Sequence, residues 1–123
     1  MSKKSKILIV DDDPIALETM AAILEIRDYE ILMALSGLEG ISKARKQKPD
    51  LIIMDVMMPE VDGFTTCKMI RESEEIKGIP IILLTGKGMV GDVEKGFASG
   101  ASDYMVKPID WDKLLLKIKK LIP

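Results

Sequence analysis

The chain has 123 residues, one cysteine, no histidine and a net charge of -2, with 47% of its residues apolar and 31% charged. That length predicts one domain, residues 1–123, around a single core, and the near-neutral balance argues against direct nucleic-acid binding. A lone cysteine excludes an intrachain disulfide, and the missing histidine excludes histidine-ligated metal sites and Ser-His or Cys-His catalysis.

The basic start, Met1 to Lys6, is followed by an apolar run, Ile7 to Val10, that ends at Asp11. Such a run is too short for a signal peptide or a membrane span, so a cytoplasmic chain with no membrane contact is expected. It reads as a first strand. Asp13 and Pro14 then take the cap and first-turn positions of a helix to about Arg27, with Leu17, Met20, Ala21 and Leu24 on one face. Tyr29 to Met33 is a second strand, and Gly37 to about Gln47 a helix with Leu38, Ile41 and Ala44 inward. Leu51 to Met54 is a third strand, closed by Asp55 and followed by Val56-Met57-Met58-Pro59.

A helix from Phe64 to about Ser73 is entered through an Asp62-Gly63 turn, and its Cys67 reads as a small apolar side chain in a reducing compartment. Pro80 precedes a fourth strand, Ile81 to Leu84, with Thr85 after it. Val90 to about Ser99 is a weak helix, because Gly91 and Gly96 each disfavour it by up to roughly 1 kcal/mol relative to alanine. With Gly86 and Gly88 they predict that the region of the fourth helix is the most mobile part of the fold. Asp103 to Val106 is a short fifth strand, before Lys107 and Pro108. Asp110 caps a last helix with Leu114, Leu115, Ile118 and Leu121 as its buried stripe, Trp111 partly exposed and Lys117, Lys119 and Lys120 on a solvated face. The nine methionines read as core filler.

Strict alternation of strands and helices predicts an α/β fold, a doubly wound parallel sheet with helices on both faces. Right-handed crossovers bring the C-terminal ends of the strands to one edge, where the ligand site is expected. Asp11, Asp12, Asp13, Asp55, Thr85 and Lys107 meet there. Asp13 is accounted for by capping, whereas Asp55 has no cap to make. Two carboxylates about 4 Å apart repel by on the order of 4 kcal/mol near a protein surface, so the cluster calls for a divalent cation and Lys107 as counter-charges. Oxygen-only ligands with open positions fit Mg2+. Within such a site a carboxylate can take up a phosphoryl group, and Lys107, Thr85 and the cation can stabilise the charge on its oxygens.

The Asp11-Asp12 pair, Asp55 with Pro59, Asp62-Gly63, Thr85 and Lys107-Pro108 occur jointly and in order. In this the chain resembles the receiver domains of two-component response regulators. The resemblance implies a flavodoxin-like five-stranded sheet of order 2-1-3-4-5. It also implies that Asp55 accepts a phosphoryl group from a histidine kinase or phosphotransfer protein. Asp12 would ligate Mg2+ directly, Asp11 through water, and the Met57 backbone carbonyl as a further ligand beside Asp55.

Further expectations follow from the same resemblance. Lys107 pairs with the acceptor, its bond to Pro108 is cis, and Thr85 and Tyr104 form a switch that remodels the surface of the fourth helix, fifth strand and fifth helix, which binds a downstream target or output domain. Ser102 and Lys113 depart from relatives that dimerise through salt bridges on that surface. An apolar Met57 cannot orient a hydrolytic water, and Lys87 is placed to cover the phosphoryl oxygens, so slow loss of the phosphoryl group is expected. The domain is expected to be no enzyme beyond its own phosphorylation and slow dephosphorylation. The Met1 start suggests a natural N-terminus, and Pro123 ends either a stand-alone regulator or a receiver from a longer one. Two alternatives compete: an interaction module that no longer takes phosphate, which the intact Asp12, Asp55, Thr85 and Lys107 oppose, and an aspartyl-nucleophile phosphatase, which would need an acid where Met57 stands.

Overall fold

A computed structural model describes residues 4–86 and 91–122, the side chains of residues 91–93 excepted. The elements alternate as β1 (Lys6–Val10), α1 (Pro14–Ile26), β2 (Glu30–Ala34), α2 (Gly37–Gln47), β3 (Leu51–Asp55), α3 (Gly63–Arg71), β4 (Ile81–Thr85), α4 (Gly91–Ala98), β5 (Asp103–Val106) and α5 (Trp111–Leu121). All neighbouring strands pair in parallel, in the order β2-β1-β3-β4-β5. This is the doubly wound parallel sheet that the alternation predicts, in the flavodoxin-like order that the resemblance implies.

The sequence explains the layering. β3 and β4 are buried along their whole length, so both faces must be apolar, and the runs Leu51-Ile52-Ile53-Met54 and Ile81-Ile82-Leu83-Leu84 supply that. Alternate strand residues point to opposite faces. Ile7, Ile9, Ile53 and Ile82 pack against Leu17, Leu24, Leu114 and Ile118 of α1 and α5. Leu8, Ile52, Met54 and Leu83 pack with Ile41, Ala44, Cys67 and Ile70 of α2 and α3. Four helices start on a side chain that accepts an N–H: Asp13 from Ile15 at 3.0 Å, Ser36 from Glu39 at 3.1 Å, Asp62 from Thr65 at 2.8 Å and Asp110 from Lys113 at 3.2 Å. Each such cap contributes about 1 kcal/mol.

Three expectations change. Leu38 is exposed rather than inward, because Gly37 and Gly40 face the core in its place. A Cβ on Gly37 would stand 2.1 Å from Thr66 Oγ1 and one on Gly40 2.9 Å from Val10 Cγ2, so α2 lies closer to its neighbours than a side chain allows. The methionines are divided: Met20, Met54, Met58 and Met105 are in the core, while Met33, Met57 and Met69 are exposed. Lys117 leaves the solvated lysine face and is half-buried against Asp103. Strand ends also shift by a residue, which takes Asp55 and Thr85 into β3 and β4 as their last members. The expected helix start, Val90, lies outside the described residues, as do Lys87, Gly88 and Met89.

Candidate functional site

Backbone ladders running just past the strands fix where the site begins. Asp11 N–H donates to the Ala34 carbonyl at 3.1 Å, Val56 N–H to Leu84 at 3.0 Å, and Lys107 N–H to Thr85 at 2.8 Å. The residues leaving β1, β3 and β5 are therefore set by the sheet itself. Gly63, the first residue of α3, lies against the end of β3 and donates its N–H to the Val56 carbonyl at 3.0 Å. A Cβ there would lie 2.5 Å from the Asp55 carbonyl oxygen and 2.8 Å from Val56 Cα, both backbone atoms. The Asp62-Gly63 pair thus caps α3 and lets it approach the acid.

Asp11, Asp12 and Asp55 each bring a carboxylate oxygen within 4.8 Å of the other two. Asp11 and Asp55 are buried, at 8% and 5% exposure, and Asp12 is exposed. Lys107 Nζ lies 3.1 Å from Asp55 Oδ2 and 4.0 Å from Asp11 Oδ2. Asp55 Oδ1 also accepts the Met57 N–H at 3.3 Å, and Asp11 Oδ1 the Asp13 N–H at 3.0 Å. Burial pushes the Asp11 carboxyl above its ordinary 3.8; the Asp13 N–H opposes this, Asp55 adds to it, Lys107 opposes it and Asp12 adds to it. Among the described residues one ammonium faces three carboxylates, an excess of negative charge.

Thr85 is 1% exposed, and its Oγ1 is buried with no hydrogen-bond partner among the described residues. An orphaned hydroxyl of this kind costs about 1–3 kcal/mol unless something uses it. Lys107-Pro108 is cis. Met57 exposes 60% of its surface and lines a surface cavity with Pro59, Phe64 and Lys95. Asp13 caps α1, as its position before Pro14 predicts. Tyr104 is half-buried on β5, in register with Leu83, while Thr85 is in register with Val106. The structure thus brings Asp11, Asp12, Asp55 and Lys107 together at one edge and places Tyr104 further back along the sheet.

Sequence reasoning missed the surroundings of Tyr104. Its ring meets Phe97 of α4 edge to face, and Lys117 of α5 stands over it. No periodic pattern links residues on three separate elements, so only the fold could bring them together.

A parallel α/β sheet with buried acids and a lysine at the C-terminal edge of its strands defines an oxygen-ligand site suited to a phosphoryl group. The family model described as response regulator receiver domain matches residues 7–119, and the chain belongs to that family. It is a signalling domain of the phosphorylation-based kind. The chain is 40% identical over 117 residues to the DNA-binding dual master transcriptional regulator RpaA of Synechocystis sp., covering 95% of this chain and 48% of that protein. It is 36% identical over 118 residues to Protein PilH of Pseudomonas aeruginosa, covering 96% and 98%. Among solved structures, the receiver domain of sensor histidine kinase PA1611 from the same organism superposes with a TM-score of 0.89 at 30% identity, covering 98% of each chain; that structure has a magnesium ion coordinated in its active site cleft. The chain therefore spans about half of RpaA and nearly all of PilH.

Proposed function

We propose that this chain, as a single cytoplasmic receiver domain, accepts a phosphoryl group on Asp55 and carries it as a signal. The observation that supports this best is Asp55 itself: a buried carboxylate held at 3.1 Å by Lys107, facing Asp11 and Asp12, at the end of the strand beside the one that Thr85 ends. An oxygen of Asp55 attacks phosphorus, the bond from phosphorus to the donor's leaving group breaks, and the leaving group departs with the electron pair. Lys107 then moves its ammonium from the carboxylate to the phosphoryl oxygens. The Thr85 hydroxyl, which has no partner among the described residues, donates to one of those oxygens.

The donor set fits Mg2+, because hard oxygen ligands carry more negative charge than Lys107 offsets. Asp12, Asp55 and the Met57 carbonyl would hold it, with Asp11 acting through water. When bound, Mg2+ supplies positive charge to the phosphoryl oxygens. Beyond its own phosphorylation and slow dephosphorylation the domain performs no turnover.

The phosphodonor is a histidine kinase or a phosphotransfer protein. Movement of Thr85 frees space into which Tyr104 turns, and the face of α4, β5 and α5 then changes its affinity for a downstream protein or output domain. With a net charge of -2, that output does not run through nucleic-acid binding by this domain. No helix of the described residues is long and apolar enough to cross a membrane.

Peptide mapping after incubation with acetyl phosphate and Mg2+ tests the assignment. A hydroxylamine-labile phosphoryl group on the peptide that carries Asp55 is expected. A stable one on a serine or threonine would refute it.

A further inference from the structure

Alternation along β4 and β5 puts Thr85 and Tyr104 on the same face of the sheet, one diagonal step apart. Whatever holds the Tyr104 ring therefore sets how readily it responds to Thr85. Among the described residues, an aromatic contact and a cation contact hold it. Phe97 of α4 meets the ring at 5.8 Å between centroids with the planes at 89°, and Lys117 Nζ of α5 stands 5.8 Å from the ring centroid.

The ammonium is itself fixed. Lys117 Nζ lies 3.1 and 3.0 Å from the two carboxylate oxygens of Asp103, and Asp103 Oδ1 also accepts the Tyr104 N–H at 2.8 Å. A carboxylate anchored on the backbone of Tyr104 thus holds a cation over the ring of the same residue. Both members of the pair are largely shielded, at 30% and 27% side-chain exposure, so water screens the arrangement less than it would a surface pair.

We propose that Lys117, held by Asp103, is a positioning residue for Tyr104 and sets the resting balance of the switch. The proposal rests on the reading of Thr85 and Tyr104 as that switch. The ring is clamped from α5 by the ammonium and from α4 by Phe97, and a swing toward Thr85 gives up both contacts. Removing the ammonium alone would raise the population of the released ring roughly two- to fivefold, the range that cation–ring attraction at such sites supports.

The test labels the chain with 3-fluorotyrosine and follows Tyr104 by fluorine NMR, with Tyr29 as the internal reference. Wild type, Lys117→Met and Lys117→Arg are compared without a phosphodonor and then with acetyl phosphate and Mg2+, with intact mass read on the same samples. Lys117→Met should move the Tyr104 signal toward its phosphorylated position before any donor is added, leave Tyr29 in place, and speed phosphorylation by the same factor. Lys117→Arg should restore the wild-type signal, a rescue that lost stability alone would not explain. A Tyr104 signal unmoved in folded Lys117→Met overturns the proposal. Failure of the reading beneath it looks different. A wild type that gains mass while Tyr104 stays still sinks the switch, and with it the regulatory role of Lys117. A wild type that gains no mass fails at Asp55, and the donor-free comparison still decides whether Lys117 positions the ring.

Discussion

Replacing Asp11 by asparagine should stabilise the metal-free protein, although it removes a partner of Lys107. The Asp11 and Asp55 oxygens lie within 4.8 Å, a repulsion of about 3.5 kcal/mol or more at the effective dielectric of a surface cleft. Lys107 at 4.0 Å returns about 4 kcal/mol on the same scale, but its side chain is 38% exposed and water screens that attraction. The two charge effects nearly cancel, and the burial of an ionised carboxylate remains. The neutral amide of the variant avoids that burial and can still accept the Asp13 N–H, so Asp11→Asn should gain about 1–2 kcal/mol at neutral pH. For a chain of this length that is roughly 4–8 °C in Tm.

The same effect predicts a pH dependence. Because the folded state raises the Asp11 carboxyl above 3.8, the folded chain binds that proton more tightly than the unfolded chain does. The Asp11 contribution to wild-type stability is therefore most favourable below about 3.8 and is lost as the pH rises through the folded-state value. The advantage of Asp11→Asn should be full at neutral pH and fade as the pH falls toward 3.8, as followed by calorimetry in chelator. Added Mg2+ should stabilise the wild type more than the variant. A variant less stable than wild type at neutral pH, or an advantage that grows on acidification, would refute the reasoning.

Gly63→Ala forces a Cβ to 2.5 Å from the Asp55 carbonyl oxygen, a backbone atom that cannot swing away, so a loss of about 2–3 kcal/mol and slower phosphorylation are expected from denaturant melts and mass kinetics. Met57→Gln places a hydrogen-bonding group where the exposed thioether cannot orient water, and the phosphoryl lifetime should shorten by roughly tenfold or more; an unchanged lifetime would remove Met57 from the account. In α4, which has eight residues and includes Gly91 and Gly96, amide hydrogen exchange should be much faster than in the buried β3, and equal protection would contradict the expected mobility.

Most of what positions Asp55 was legible in the chain. Four-residue apolar runs alternating with longer stretches of helical period read as strands buried on both faces, and acids at their ends then fall at the sheet edge. Asp13 declared itself as a cap through Pro14, and the structure shows its carboxylate on the Ile15 N–H. The rotation of α2 was not legible, since Leu38 fits an inward stripe equally well until Gly37 meets Thr66. Nor was Lys117: on its own helix it belongs to a run of lysines, and only β5 brings Asp103 and the Tyr104 ring beneath it. Close approaches and edge clusters depend on distances between elements, which local patterning does not encode.

The central claim is that Asp55 takes up a phosphoryl group with the help of Mg2+. Intact mass after incubation with acetyl phosphate, with and without Mg2+, on this chain and on Asp55→Asn, tests it most directly. The gain of a single phosphoryl group that requires both Mg2+ and Asp55 is the predicted result. No gain under any condition, or an equal gain in Asp55→Asn, would contradict it.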